Sequence, residues 1–273
     1  MIPKLLGIPP YISTKPLTEA LRTNGALQLV EESRPSLAKQ LREQELNAAL
    51  LSPLEYAKDS SDYCIVPKVA AVSETGNGSI VVRFHEGGKK IQTLAVNPLF
   101  VWEIVLTKIV FAEAFDIDLT IVPMNATPGV MLQKADAALF VGDSAVEVMG
   151  TDSIIDITEE WNQLTGLPLV HAIWCGREGD LTNRDITQLQ QSALKGTSGI
   201  NDIVLTARPD DREALQRFLE SFSYELNDGA EEGLTEMMKY FYYHGITPDV
   251  SELNFYKPED GPKDDLLSDI SPN

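Results

Sequence analysis

Short runs of Val, Ile, Leu and Ala recur along this chain, separated from one another by amphipathic stretches of helical length. A mostly parallel sheet requires that alternation, because each parallel crossover takes a helix and helices must cover both faces of the sheet. The first cycle reads as strands at 5–8, 27–30 and 48–51, helices at 16–23 and 35–42, and a helical turn after Ser52. From residue 64 the pattern changes. Two β-rich runs, 64–72 and 79–85, flank Glu74-Thr75-Gly76-Asn77-Gly78, a turn-forming segment where the chain stops winding and crosses over. Alternation restarts after Gly87-Gly88-Lys89-Lys90, with a strand at 93–96, a long helix near 99–115, and strands at 119–122 and 137–141. A strand at 169–174 then precedes wholly helical sequence at 182–194, 212–226 and 230–244, which must return to cover the first half. The restart predicts an α/β fold of two lobes about a cleft: residues 1–88 with 180–258 as lobe one, 89–179 as lobe two, and a polar, flexible tail at 259–273.

Charge narrows the partners. With 22 Lys+Arg against 41 Asp+Glu, the net −19 repels phosphate backbones and anionic lipid, so neither nucleic acid nor membrane is expected as a partner. A small-molecule ligand is expected instead, and an anionic one needs a locally positive pocket. No run approaches the roughly 18 apolar residues of a membrane span, and prolines break the N-terminal apolar run, so a cytoplasmic location is expected. Cys64 and Cys175 each lie in apolar sequence and read as buried strand thiols, with neither a disulfide nor a metal site implied. Nothing in the sequence sets an oligomeric state.

Ligands of open α/β sheets gather beyond the carboxyl ends of strands, where loops meet helix starts. Tyr11, Ser13 and Thr14 follow the first strand, and Ser52 follows the third; each hydroxyl could contact a ligand or simply cap a helix. Asn97 opens the long helix and places Phe100, Trp102 and Glu103 at its entrance, where Glu103 is equally explained by the helix macrodipole. Gly142 and Asp143 follow the strand at 137–141, with Asp143 a cap or a ligand contact. His85, His171 and His244 are dispersed and read as structural. No HExxH, CxxC, P-loop, GxGxxG or GxSxG pattern occurs, so metal hydrolysis, nucleotide use and the α/β-hydrolase mechanism lack support.

Four segments carry a resemblance: 11–17 (YISTKPL), 47–57 (NAALLSPLEYA), 135–145 (ADAALFVGDSA) and 161–174 (WNQLTGLPLVHAIW). Taken in order, they resemble the menaquinone-biosynthesis family that includes chorismate dehydratase, over roughly residues 5 to 250. The resemblance implies a type II periplasmic-binding-protein-like fold and a carbon-oxygen lyase that converts chorismate to 3-[(1-carboxyvinyl)oxy]benzoate and water without metal or organic cofactor. It also implies Ser13 as the catalytic position, where the family usually has Asn. Tyr11, Thr14, Ser52, Ser79, Asn97, Trp102, Glu103 and Asp143 are implied as the substrate-binding set. Ser52 and Ser79 match family serines, whereas Trp102 and Glu103 stand where the family usually has a Thr-Ser pair. The other expectation is a diverged, non-catalytic binding protein of the same fold for another small anionic or aromatic metabolite.

Overall fold

The structure is a computed structural model that describes residues 3–22, 25–84, 91–148 and 153–257. The chain begins with β1 (Lys4–Ile8), α1 (Lys15–Thr18), β2 (Leu27–Glu31), α2 (Arg34–Arg42), β3 (Ala48–Leu51), α3 (Pro53–Lys58) and β4 (Cys64–Ser73). It continues through β5 (Ile80–Phe84), β6 (Thr93–Val96), α4 (Val101–Phe115), β7 (Thr120–Pro123), α5 (Pro128–Lys134), β8 (Ala137–Val141), α6 (Asp143–Val148), β9 (Ile154–Asp156) and α7 (Ile157–Thr165). Last come β10 (Leu169–Gly176), α8 (Asn183–Ser198), α9 (Ile200–Leu205), α10 (Arg212–Glu220) and α11 (Asp228–Tyr243). Among the described residues no helix is long and apolar enough to cross a membrane.

Two five-stranded sheets organise these elements, ordered β2-β1-β3-β10-β4 and β7-β6-β8-β5-β9. Each centre is built from residues that can be buried on both faces. All four residues of β3 are buried, as are all eight of β10. β1 pairs in parallel with β2 and β3, whereas β10 runs antiparallel to β3 and β4. The second sheet repeats this plan: β6 is parallel to β7 and β8, and β5 is antiparallel to β8 and β9.

These pairings correct the expected division of the chain. The run at 79–85 was expected in lobe one and that at 169–174 in lobe two, yet β5 pairs only within the second sheet and β10 only within the first. The chain therefore passes between sheets at 74–79 and again at 166–168, ahead of the expected boundaries. Apolar periodicity identifies a strand but carries no information about a partner strand tens of residues away. The helix expected over 212–226 also ends early, at Glu220, because Ser223 pairs with Val72 and extends the sheet edge. His85 and the tail at 259–273 lie outside the described residues.

Helix ends follow local chemistry. Thr182 and Asp185 form a reciprocal capping box at the start of α8, Asp156 caps α7, and Gly166 ends α7 in the left-handed region at φ 70°. α8 packs against α1 so closely that a Cβ on Gly196 would overlap the Pro16 carbonyl. Gly196→Ala should therefore cost about 1–3 kcal/mol through overpacking, read as a lowered urea midpoint; an unchanged midpoint would contradict this contact.

One hydrophobic cluster runs through both lobes. Trp102, Leu106 and Phe111 of α4 share it with Met237 and Phe241 of α11, which packs on β10. Trp102 meets Phe241 edge to face at 5.9 Å, Trp161 of α7 meets Tyr240 at 5.4 Å, and His244 Nε2 lies 2.9 Å from Glu113.

Candidate functional site

A cavity of about 270 Å³ opens between the lobes. Lobe one supplies Tyr11 and Ser13 from the loop after β1, Arg34 from the first turn of α2, His171 from β10, and Phe218 and Phe222 from α10 and its exit. Lobe two supplies Ser79 and Ile80 at the entry to β5, Phe100 and Glu103 at the entry to α4, and Gly142 and Ser144 after β8. Gly142 has φ 60°, a conformation that favours glycine, and its N–H donates to the Ser79 carbonyl at 2.9 Å. That bond ties two strand ends together at the cavity rim.

Among the described side chains of this wall, Arg34 is the cation and Glu103 the carboxylate. Although 6% and 3% exposed, they form an ion pair with Nη1 2.5 Å from Oε1. Because α2 belongs to the first lobe and α4 to the second, the pair spans the cleft. Burial opposes the Arg34 charge, but Glu103, Tyr11 and Glu55 outweigh it and raise its pKa. The guanidinium lies 4.6 Å from the centroid of the Tyr11 ring, a cation–π contact in a desolvated setting. Tyr11 is itself raised, chiefly by burial. Arg34 Nε and Ser79 Oγ are buried without a hydrogen-bond partner among the described residues. Each such orphan costs about 1–3 kcal/mol unless something else satisfies it.

His171 is held from behind. The Asn77 amide donates to Ser73 Oγ at 2.7 Å, and Ser73 Oγ lies 2.7 Å from His171 Nε2. Ser73 is buried, so its own proton is satisfied by donation to Nε2, which assigns the ring proton to Nδ1. Burial, assisted by the Arg34 charge, lowers the His171 pKa to about 3, so the ring is neutral across the physiological range. Its face meets Phe222 edge-on at 5.2 Å; Phe222 in turn packs against Phe218 at 5.2 Å, and Tyr11 approaches Phe100 at 6.4 Å.

Of the residues singled out from sequence, the cavity brings together Tyr11, Ser13, Ser79, Phe100, Glu103 and Gly142. The others have local employment. Thr14 donates to the Tyr11 carbonyl at 2.8 Å, Asn97 Oδ1 accepts from the Leu99 N–H at 3.0 Å, and neither lines the cavity. Ser52 is the N-cap of α3 and donates to Glu55, whose pKa is raised mainly by burial. Trp102 lies in the core against Phe241, away from the cavity lining. The side chain of Asp143 lies outside the described residues. Sequence reasoning passed over Arg34 and took His171 as structural. Arg34 carried the signal used elsewhere, a helix start after a strand end in Ser33-Arg34-Pro35, and could have been found. Among the described residues no three His, Cys, Asp or Glu side chains converge as a metal site requires.

Similarity to known proteins matches this architecture. The chain is 24% identical over 267 residues to chorismate dehydratase of Thermus thermophilus, covering 86% of this chain and 93% of that protein. A crystal structure of a protein from Archaeoglobus fulgidus superposes with TM-score 0.68 at 18% identity, over 89% of this chain and 98% of the other. The periplasmic aliphatic sulphonate binding protein SsuA of Escherichia coli superposes with TM-score 0.65 at 10% identity, over 99% and 97%. At such identities these structures speak for the fold alone, the two-lobed type II arrangement. The sequence profile described as menaquinone biosynthesis matches residues 5–243, most of the chain, and on that match the protein belongs to the menaquinone biosynthesis family.

Proposed function

We propose that this protein captures a small ring-bearing metabolite in the cleft between its lobes and holds it without turnover. The observation that carries this reading is the make-up of the cavity wall: its described carboxylate is tied up in the Arg34–Glu103 ion pair, its imidazole is buried against Ser73, and the rest is aromatic rings and hydroxyls. A side chain that serves as general base in a dehydration works best when it takes up its proton near the operating pH. His171 is lowered to about 3, and Glu103 is held by Arg34. What the wall offers instead is recognition: the aromatic faces of Tyr11, Phe100, Phe218 and Phe222, with Ser79 Oγ and Arg34 Nε free to donate to a ligand oxygen. Solved neighbours of the same fold include an alkanesulfonate-binding protein of Xanthomonas axonopodis bound to MOPS, a small ring compound with an acidic group.

A second reading is chorismate dehydration, with Ser13 in the catalytic position. Its support is the shared cavity of Ser13 and Ser79 and the Thermus dehydratase relative. Purified protein incubated with chorismate separates the two by chromatography and mass spectrometry. We expect chorismate to persist under conditions where the Thermus enzyme consumes it. Accumulation of the carboxyvinyloxybenzoate product above a no-protein control would overturn the binding reading and establish the lyase.

A further inference from the structure

The structure assigns to Glu103 the part of a built-in carboxylate that occupies the acid-binding position beside Arg34, so that the cleft selects ring compounds bearing at most one carboxylate. This inference rests on the cleft being the ligand site and adds the charge class of the ligand. Among the described side chains lining the cavity, Arg34 is the only Lys or Arg and Glu103 the only carboxylate. The pair is nearly dry, so its members neutralise one another at short range with little solvent screening. Glu103 also sits in the first turn of the fifteen-residue helix α4, where it offsets the positive end of the helix dipole. One side chain thus compensates both the Arg34 charge and the positive end of the α4 dipole.

A ligand carboxylate has two ways to enter. It can displace Glu103 from Arg34, which breaks a link between the lobes and strands a buried charge. Otherwise it lies beside an intact pair of zero net charge and uses the remaining donors, Arg34 Nε and Ser79 Oγ. The second route accommodates one carboxylate or a neutral oxygen, because two or three hydrogen bonds can stabilise a single anion. It has no uncompensated cation among the described lining residues to offer a second carboxylate, which would meet only neutral donors such as the Tyr11 and Ser13 hydroxyls and would face Glu103 across a cavity of about 270 Å³.

Titration calorimetry with benzamide, benzoate and isophthalate tests this on a constant ring size. The wild-type protein should bind benzoate or benzamide at least about tenfold more tightly than isophthalate. Glu103→Ala should close or reverse that gap by freeing Arg34. Glu103→Gln keeps the shape of the side chain and removes its charge, so it should narrow the gap even if the alanine variant folds poorly. Isophthalate bound as tightly as benzoate by the wild-type protein, with ratios unmoved in Glu103→Gln, would overturn the assignment while leaving the cleft as a ligand site. Failure of all three probes to bind either protein at millimolar concentration would overturn the assignment together with the cleft reading.

Discussion

Trp102→Ala should destabilise the protein by about 3–5 kcal/mol, the range for deleting a large buried aromatic, and should do so as a defect between lobes. Trp102 is 1% exposed and lies edge to face on Phe241, which belongs to a helix packed on the first sheet. Its removal opens a hole in an apolar cluster that the lobes share. The m-value in urea should fall with the midpoint, because lobes that share less core unfold less cooperatively. Trp102→Phe should be far milder: it keeps most of the volume and deletes an indole N–H that is buried without a partner. Ligand affinity should be the same in folded Trp102→Phe as in the wild type. A phenylalanine variant that binds ligand poorly at undiminished stability would return Trp102 to the cleft.

That contrast shows where the sequence was legible and where it was not. Successive residues on a helix point about 100° apart, so Trp102 and Glu103 could not both face the same space. Nothing local says which of them does. The answer depends on Phe241 and Arg34, far away in the chain. Arg34 differs: its place at a helix start after a strand end is legible locally, and only its pairing with Glu103 on the other lobe is not.

Strands whose runs are uniformly apolar were another matter. The expected ranges 48–51, 93–96 and 137–141 coincide with β3, β6 and β8, because such runs are stable only where both faces are covered. β9 has three half-buried residues and left no periodicity to detect. The serines divide the same way. Ser52, between a strand and a helix, satisfies a helix N-terminus and is spent locally, whereas Ser79, between a turn and a strand, is left with an unpartnered hydroxyl.

His171 supplies the second large effect, a loss of stability on mild acidification. An unfolded histidine takes a proton near pH 6.5, while this one refuses it until about pH 3. Between those values the unfolded chain binds more protons, so stability rises with pH through this window, is complete above about pH 6.5, and is lost as pH falls toward 3. One proton sets a limiting slope of about 1.4 kcal/mol per pH unit, or roughly 3 kcal/mol between pH 6.5 and 4. Glu55 works in the opposite direction, since its raised pKa means that the folded state holds its proton more firmly than the unfolded chain. It is common to wild type and to a His171→Phe variant, so the difference between their urea-derived stabilities isolates the imidazole. That difference should shift in favour of the variant by the stated amount on acidification, above a constant offset from the hydroxyl of Ser73, which loses its acceptor. Parallel stability profiles across the same window would mean that His171 accepts a proton in the folded protein, and with it the hydrogen bond from Ser73 would have to reverse.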